Sequence, residues 1–234
     1  MTSSVLARYR MPKLSHIDQA TGLPVRKPKP KRYEIKSAGK LVHVDIKKQG
    51  RIPHGGGWRA HGRGSPQDRA ASVARGKKAR SGPSSARGYR YLHHGVDDYS
   101  RVAYCEILDD ERKESATAFW GRAQAFFESI GIKVSAVMTD NGACYRSKMF
   151  AQALGENITH KRTKPYRPQT NGKVERFNRT LAQEWAYAQA YSSKEERAQA
   201  YQAWLHEYDH HRPHTGIGGQ TPASRVHNLT GKYS

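Results

Sequence analysis

The chain has 234 residues, of which 36% are apolar and 9% aromatic, enough for one buried core and an appendage. It carries 41 lysines and arginines against 20 aspartates and glutamates, so its formal net charge is +21. Residues 1–90 hold 22 of the basic side chains and four of the acidic ones, while the rest of the chain is nearly balanced. A structural protein or a metabolic enzyme rarely needs such an excess, which indicates a polyanionic partner, most often nucleic acid.

The cysteine content and the hydropathy of the chain limit where it works. Two cysteines, Cys105 and Cys144, are too few for a disulfide framework or a zinc knuckle. No apolar run approaches the roughly 18–20 residues of a membrane helix. The N-terminal residues also lack the apolar segment of a signal peptide. We therefore expect a cytoplasmic, nucleoid-associated protein without a membrane partner.

The first part of the chain combines basic segments with one strand. Residues 1–38 are basic and interrupted by proline (PVRKPKPKR), which predicts an arm or linker with a short helix near residues 5–10. The run LVHVDI at 41–46 predicts a buried strand. Residues 50–88 contain nine glycines and nine basic residues against one acid, so we expect a long, flexible, basic insertion.

After the insertion, the pattern predicts strands first and then helices interleaved with strands. The helix over 114–130 is predicted from apolar residues at three- and four-residue steps. This order predicts a mixed α/β sheet in one core of residues 39–225, whose end is interrupted by glycine and proline, followed by a tail at 226–234. The predicted elements are strands at 89–96, 102–108, 134–138 and 158–161, and helices at 114–130, 147–154, 170–190 and 193–210.

Three carboxylates occupy positions suited to metal chemistry. Asp45 lies in the first strand, Asp140 directly follows the strand at 134–138, and Glu175 lies in the first turns of a helix. Carboxylates at the ends of neighbouring strands can converge, and an oxygen cluster without Cys or His selects Mg²⁺ or Mn²⁺. The alternative is ordinary structure, since Asp-Asn-Gly is a turn signal and a lone acid in a strand or helix is usually structural.

Two other groups of residues compete for functional roles. Asp97 and Asp98 lie in a turn between two strands, where turn chemistry accounts for them, although either could replace Asp45 as the first acid. Three histidines near the C-terminal end suggest a metal site, but their place at the end of a helix favours helix capping. These histidines are His210, His211 and His214.

The segments around the three carboxylates resemble those of a known family. LVHVD contains the first acid, TDNG the second and PYRPQTNGKVERFNRTL the third, with 34 residues between the last two acids. GVDDYSR on the intervening hairpin and YDHHRPHTGIGGQTPAS near the C-terminus match as well. As a set, these segments resemble the integrase-core transposases, the DDE enzymes of bacterial insertion sequences that are related to retroviral integrases. The resemblance covers about residues 40–225.

The resemblance implies an RNase H-like fold, a mixed five-stranded sheet flanked by helices, with a D,D,E triad of Asp45, Asp140 and Glu175. It also implies two Mg²⁺ or Mn²⁺ ions about 3.5–4 Å apart at the triad. The implied substrate is double-stranded DNA, both transposon ends and target, and an oligomer is expected because transposition joins two ends. DNA contacts are expected around the loop before the Glu, where Tyr166 either stacks on a splayed base or anchors the loop. The expected contacts are Lys161, Arg162, Lys164, Tyr166, Arg167, Gln169, Asn171, Lys173 and Arg179.

The chain departs from the family pattern in two informative ways. Its first two acids are 95 positions apart, which is long for the family, but removing the 39 residues 50–88 leaves an ordinary 56. Relatives usually carry helix-turn-helix domains before the core, whereas here only VLARYRMPKLSHID resembles the end of one, so we expect a truncated transposase. Three functions remain open: a DNA transposase core, a catalytically idle DNA-binding fragment, and an RNase H-like nuclease without strand transfer.

Overall fold

The chain divides into two compact units, Met1–Glu34 and Ile35–Ser234. In the first unit, the Asp18 carboxylate accepts hydrogen bonds from the backbone N–H groups of Ala20 and Thr21 (3.1 and 2.9 Å), which closes a turn. The helix predicted near residues 5–10 lies, except for Tyr9, outside the described residues. The computed structural model describes residues 9, 17–23, 25, 35–53, 55–81, 88–163 and 172–230.

A five-stranded mixed sheet forms the centre of the second unit. Its strands are β1 (Val42–Gly50), β2 (Tyr89–Asp97), β3 (Ala103–Leu108), β4 (Ala136–Thr139) and β5 (Thr159–Arg162). Their order across the sheet is β3-β2-β1-β4-β5. The pairs β1–β2 and β2–β3 are antiparallel, whereas β1–β4 and β4–β5 are parallel. The mixed α/β sheet predicted from the sequence is therefore confirmed, and β1 runs beyond its predicted end because it continues to pair with β2.

Helices cover both faces of this sheet. The helices are α1 (Trp58–His61), α2 (Pro66–Ser81), α3 (Lys113–Ser129), α4 (Lys148–Leu154), α5 (Gly172–Leu181), α6 (Lys194–His206) and α7 (Pro222–Thr230). One turn of π-helix extends α5 through Ala182–Ala186, and another extends α6 through Glu207–His211.

The two larger of three apolar clusters in the described part of the chain hold the layers together. Trp120 and Phe127 of α3 lie in the first cluster with Val44 of β1. Phe177 of α5 lies in the second cluster with Leu92 of β2, and the aromatic residues of α6 join them. Because side chains alternate between the faces of a strand, the residues on either side of Val44 project toward the face that α5 covers.

The segment between β1 and β2 contains two helices, which differs from the irregular loop predicted for residues 50–88. Its arginine, alanine and lysine content favours helix, and Pro66 takes the first position of α2. Ser65 Oγ accepts a hydrogen bond from the N–H of Asp68 (3.1 Å), which caps the helix. Gly50 stands opposite Tyr89 in the strand register, so the segment leaves and re-enters the sheet at one place.

Two arginines attach this segment to the C-terminal helices. The Arg59 guanidinium lies 4.4 Å from the ring centroid of Trp58 and 4.4 Å from that of Tyr187, which follows the extension of α5. Arg197 of α6 is buried, and its Nη2 donates a hydrogen bond to the Gly50 carbonyl (2.7 Å). The insertion therefore contacts the rest of the unit at two places: at its root, which is the point next to Gly50 and Tyr89 where it joins β1 and β2, and at α1.

The C-terminal segment also differs from its prediction. α7 crosses the boundary expected at residue 225, and Val226 is buried in the first apolar cluster. The tail expected at 226–234 thus begins as a helix, because Val226 finds apolar neighbours. No helix in the described part of the chain is long and apolar enough to cross a membrane.

Candidate active site

Two of the predicted acids occupy matching places on neighbouring parallel strands. In the β1–β4 ladder, His43 stands opposite Met138. Asp45 and Asp140 each lie two residues beyond this pair, Asp140 directly after the end of β4. The two acids therefore follow the paired part of the two parallel strands at the same edge of the sheet.

The charges of these two aspartates interact. Loss of water around its carboxyl group, together with the negative charge of Asp45, raises the pKa of Asp140 above its ordinary value. Asp140 Oδ1 accepts a hydrogen bond from the N–H of Gly142 (2.8 Å), which opposes that rise only in part. Loss of water is the largest cause of this rise in pKa, and the negative charge of Glu111 adds to it.

Neighbours on two elements hold Asp45. Its side chain is 20% exposed, and Oδ2 accepts a hydrogen bond from Nδ2 of Asn178 on α5 (3.0 Å). His94, its partner on β2, places Nε2 3.7 Å from the same oxygen. Burial opposes ionisation, but His94 and Asn178 hold the pKa of Asp45 below its ordinary value. Asp45 is therefore an oriented, ionised carboxylate.

Glu175 lies one helical turn before Asn178 on α5. Residues three positions apart share a helix face, so Glu175 belongs to the side of α5 that reaches Asp45. The buried ring of Phe177 packs α5 onto the sheet. Within the described residues, no three acidic, histidine or cysteine side chains are grouped closely enough to hold a metal ion. The structure thus brings the charges of Asp45 and Asp140 within reach of each other, while Glu175 is exposed on the helix whose Asn178 contacts Asp45.

The donor atoms at this place fit a hard divalent cation. The three acids offer only oxygen, the ligand type that Mg²⁺ and Mn²⁺ prefer. Oδ1 of Asn178 is buried and has no hydrogen-bond partner among the described residues. Burial raises the pKa of the neighbouring Cys144 thiol above its ordinary value, and hard cations prefer oxygen to sulfur ligands. A cation between Asp45 and Asp140 would also remove their mutual repulsion.

The residues predicted to contact DNA have different surroundings. Lys161 and Arg162 are exposed on β5 next to β4, and Arg179 is exposed in the last turn of α5. Lys173 differs from the expectation, because its Nζ contacts the buried carboxylate of Asp98 and its side chain is only 19% exposed. It belongs to an interior ion pair rather than to an open basic surface. The other predicted contacts lie outside the described residues: Lys164, Tyr166, Arg167, Gln169 and Asn171.

The two acids of the β2–β3 turn are fully buried and have structural partners. Asp97 accepts hydrogen bonds from the N–H groups of Gly39 (2.8 Å) and Ser100 (2.7 Å). Asp98 Oδ1 lies 2.8 Å from His43 Nε2, and its Oδ2 contacts Lys173. Although burial opposes ionisation, these two contacts lower the pKa of Asp98 below its ordinary value. Neither acid takes the place of Asp45, and their roles exceed those of ordinary turn residues.

The histidines near the C-terminal end form a ring cluster at the end of α6. The His206 ring centroid lies 4.6 Å from that of His210 and 5.0 Å from that of His211. His214 Nε2 lies 3.3 Å from the Tyr208 carbonyl oxygen, in keeping with the predicted role at a helix end. Neither here nor elsewhere in the described ranges do such side chains form a metal-binding group.

Some residues of this site carried no signal in the sequence. Asn178 and His94 hold Asp45 but belong to no metal-ligand pattern. Their positions relative to the acids were the one available indication. Asn178 stands three residues after Glu175, and another histidine, His43, stands two residues before Asp45. Such spacing puts two residues on the same face of a helix or strand, but it does not say which other element that face contacts.

Solved structures share this architecture. A chain of the simian T-cell lymphotropic virus intasome, in complex with a PP2A regulatory subunit, superposes with a TM-score of 0.59 at 18% identity, covering 97% of this chain and 67% of that one. The magnesium-bound HTLV-2 integrase catalytic core in trimeric form gives 0.51 at 14% identity, covering 81% of this chain and 97% of that one. Together with the mixed five-stranded sheet, these likenesses define an RNase H-like fold.

The sequence matches place the chain more narrowly. Residues 37–168 match the model of a family described as Integrase core domain, and residues 156–222 match a second model with the same description. The ORF3 protein of Spiroplasma virus SpV1-C74 is 25% identical over 154 residues, which are 60% of this chain and 42% of that relative. An insertion element IS136 protein of Agrobacterium fabrum is 30% identical over 88 residues, covering 36% of this chain and 44% of the relative. The chain belongs to the integrase core domain family, and it spans less than half the length of these curated relatives.

Proposed function

We propose that this chain is the catalytic core of a DNA transposase of the insertion-sequence type, which cuts and joins DNA phosphodiesters with Mg²⁺ or Mn²⁺. The observation that supports the proposal most is the parallel pairing of β1 with β4, since Asp45 and Asp140 each follow the paired residues His43 and Met138 by two positions in a chain of the integrase core family. An insertion-element relative and a magnesium-bound structural neighbour support it. Double-stranded DNA and further copies of this chain are the proposed partners, since neighbours include an intasome and a trimer.

Each residue of the site has a role in this proposal. Asp45 and Asp140 hold the cations, and Glu175 completes the ligand set from the adjacent turn of α5. When bound, the ions polarise the attacking oxygen and neutralise charge on the leaving oxygen. Asn178 and His94 orient the Asp45 carboxylate and keep it ionised. The exposed cations of β5 and α5 bind DNA phosphates, which position the substrate without reading its sequence: Lys161, Arg162 and Arg179.

The proposed reaction is two successive displacements at phosphorus. In the first, the oxygen of water loses a proton and bonds to phosphorus, while the bond from phosphorus to the 3′-oxygen breaks and this oxygen takes up a proton, which leaves a 3′-hydroxyl on the element's end. In the second, that 3′-hydroxyl oxygen loses its proton and bonds to a phosphorus of the target, whose own 3′-oxygen departs and takes up a proton. One P–O bond forms and one breaks each time, so catalysis rests on positioning and electrostatics.

Replacement of each acid tests this function. We expect Asp45→Asn, Asp140→Asn and Glu175→Gln to abolish cleavage and joining of a labelled DNA end in Mg²⁺. DNA affinity should stay equal or rise, because a negative charge facing phosphate is removed. Asp109→Asn is the matched control, since Asp109 is exposed and pairs with Arg90 away from the site.

The products separate the competing functions. Cleavage without joined products would favour a nuclease without strand transfer. DNA binding without either reaction would favour an idle DNA-binding fragment. Cleavage retained by any one of the three variants would remove that acid from the triad.

A further inference from the structure

One buried carboxylate touches both of the elements that carry the outer acids of the predicted triad. Asp98, in the turn between β2 and β3, has no exposed side-chain surface. Its Oδ1 meets the Nε2 of His43 at 2.8 Å, and its Oδ2 meets the Nζ of Lys173. His43 stands two residues before Asp45 on β1, and Lys173 stands two residues before Glu175 on α5.

We propose that Asp98 is a positioning residue for the metal-binding acids, which fixes the first turn of α5 against β1 through Lys173 and His43. This inference rests on the proposed function, since it concerns the same site. It assigns a role to the GVDDYSR segment, whose second aspartate is neither a metal ligand nor an ordinary turn residue.

The geometry explains why a charged contact is needed here. Residues two apart on a strand project from the same face, so His43 and Asp45 share the face of β1 that α5 covers. The apolar contacts of Phe177 attach α5 to the sheet, but apolar attraction is non-directional and does not by itself fix the position of a helix along its axis. An ion pair with a buried carboxylate has a restricted geometry, and removing one partner leaves a buried charge uncompensated.

The turn that carries Asp98 is itself fixed. The neighbouring carboxylate of Asp97 accepts backbone hydrogen bonds from Gly39 and from Ser100. The backbone N–H of Asp98 donates to the Leu41 carbonyl (2.8 Å), directly before β1. Asp98 therefore presents its carboxylate from a rigid base, which is what a positioning role requires.

Metal affinity and helix exchange together test this proposal. We expect Asp98→Asn to raise the Mn²⁺ concentration for half-saturation, measured by calorimetry without DNA, by about tenfold, as for other residues that orient metal ligands. Amide hydrogen exchange in the first turn of α5 should become faster. Glu106→Gln is the control, because it breaks a similar ion pair with Arg122 away from the site. It should leave both quantities unchanged.

A second pair of variants covers the case in which Asp98→Asn does not fold. Lys173→Met removes the same ion pair from its partly exposed side and should raise the Mn²⁺ concentration for half-saturation, the Mn²⁺ midpoint, by a similar factor. Lys173→Arg keeps the charge and should have the midpoint of the unsubstituted protein. An unchanged midpoint in the folded Asp98 or Lys173→Met variant would overturn the proposal. The unsubstituted protein decides the proposed function separately, by whether it cuts and joins DNA. If it binds no Mn²⁺, both proposals fail.

Discussion

Replacing Asp140 by Asn should make the metal-free protein more stable while it destroys activity. The asparagine keeps an oxygen that can accept the hydrogen bond from Gly142, so the substitution removes only the charge. Two unit charges repel by up to about 1 kcal/mol at separations of about 4 Å or more in a water-like dielectric, which suits the open side of Asp140. We therefore expect the free energy of unfolding to rise by about 1 kcal/mol, or the Tm by about 2–4 °C.

The pH dependence of this gain has a definite sign. The pKa of Asp140 is raised in the folded protein, so the folded state binds that proton more tightly than the unfolded chain does. The unsubstituted protein thus loses stability as pH rises from the ordinary Asp pKa of about 3.9 through the higher folded value. The asparagine variant has no such loss. The difference in unfolding free energy between the variant and its parent should therefore vanish well below pH 4 and reach its full size near neutrality.

Urea denaturation in EDTA and in millimolar Mg²⁺ measures both effects. In Mg²⁺ this stability difference should shrink or change sign, because a cation that binds the native aspartate pair stabilises only the unsubstituted protein. A variant less stable than its parent in EDTA would refute the repulsion between Asp45 and Asp140. A stability difference of the same size with and without Mg²⁺ would refute their sharing of a cation.

Three further predictions address the frame of the site and the insertion. Phe177→Ala should lower the free energy of unfolding by about 3–5 kcal/mol in urea titrations, because it opens a cavity under α5; a decrease below about 1 kcal/mol would contradict the packing described. Gly39→Ala should destabilise by more than about 1 kcal/mol, since its φ is +77° and a Cβ there would lie 2.2 Å from the Lys133 carbonyl oxygen. Gly121→Ala in α3 is its control and should be neutral or stabilising, as its Cβ would meet nothing within 4 Å. Replacing residues 51–88 by an Asn-Gly turn should make the slope of log DNA affinity against log salt less steep. The change should be about 0.9 for each phosphate that the chain no longer neutralises, and an unchanged slope would show that the insertion does not bind DNA.

The sheet and its covering helices were predictable because their signals are local. The β-branched run of β1 and the three- and four-residue apolar steps of α3 are each contained in one window of sequence. α1 and α2 were missed because the glycines and charges around them mask ordinary helix formers, and because the cap of α2 is one Ser–Asp pair. Composition alone thus underestimated the regular structure of the insertion.

The connections within the site were not predictable, because they join distant parts of the chain. Asp45 and its hydrogen-bond partner Asn178 are 133 residues apart, and Asp98 and Lys173 are 75 apart. Family resemblance selected the three acids, but it named Lys173 as a DNA contact when the fold gives it an internal partner. Only the packing of α5 on the sheet decides which polar residues of that helix face inward.

The root of the insertion has an evolutionary consequence. Gly50 and Tyr89 face each other across the β1–β2 ladder, and one further bond, from the Arg51 N–H to the Gly88 carbonyl (2.6 Å), extends it. An insertion at such a point leaves the pairing of the other strands unchanged. An ancestral core with a tight hairpin between β1 and β2 could therefore have acquired this segment in a single genetic event and still folded. The same root offers a place where a foreign domain, or a new pair of chain ends, can be introduced without shifting the strand that carries Asp45.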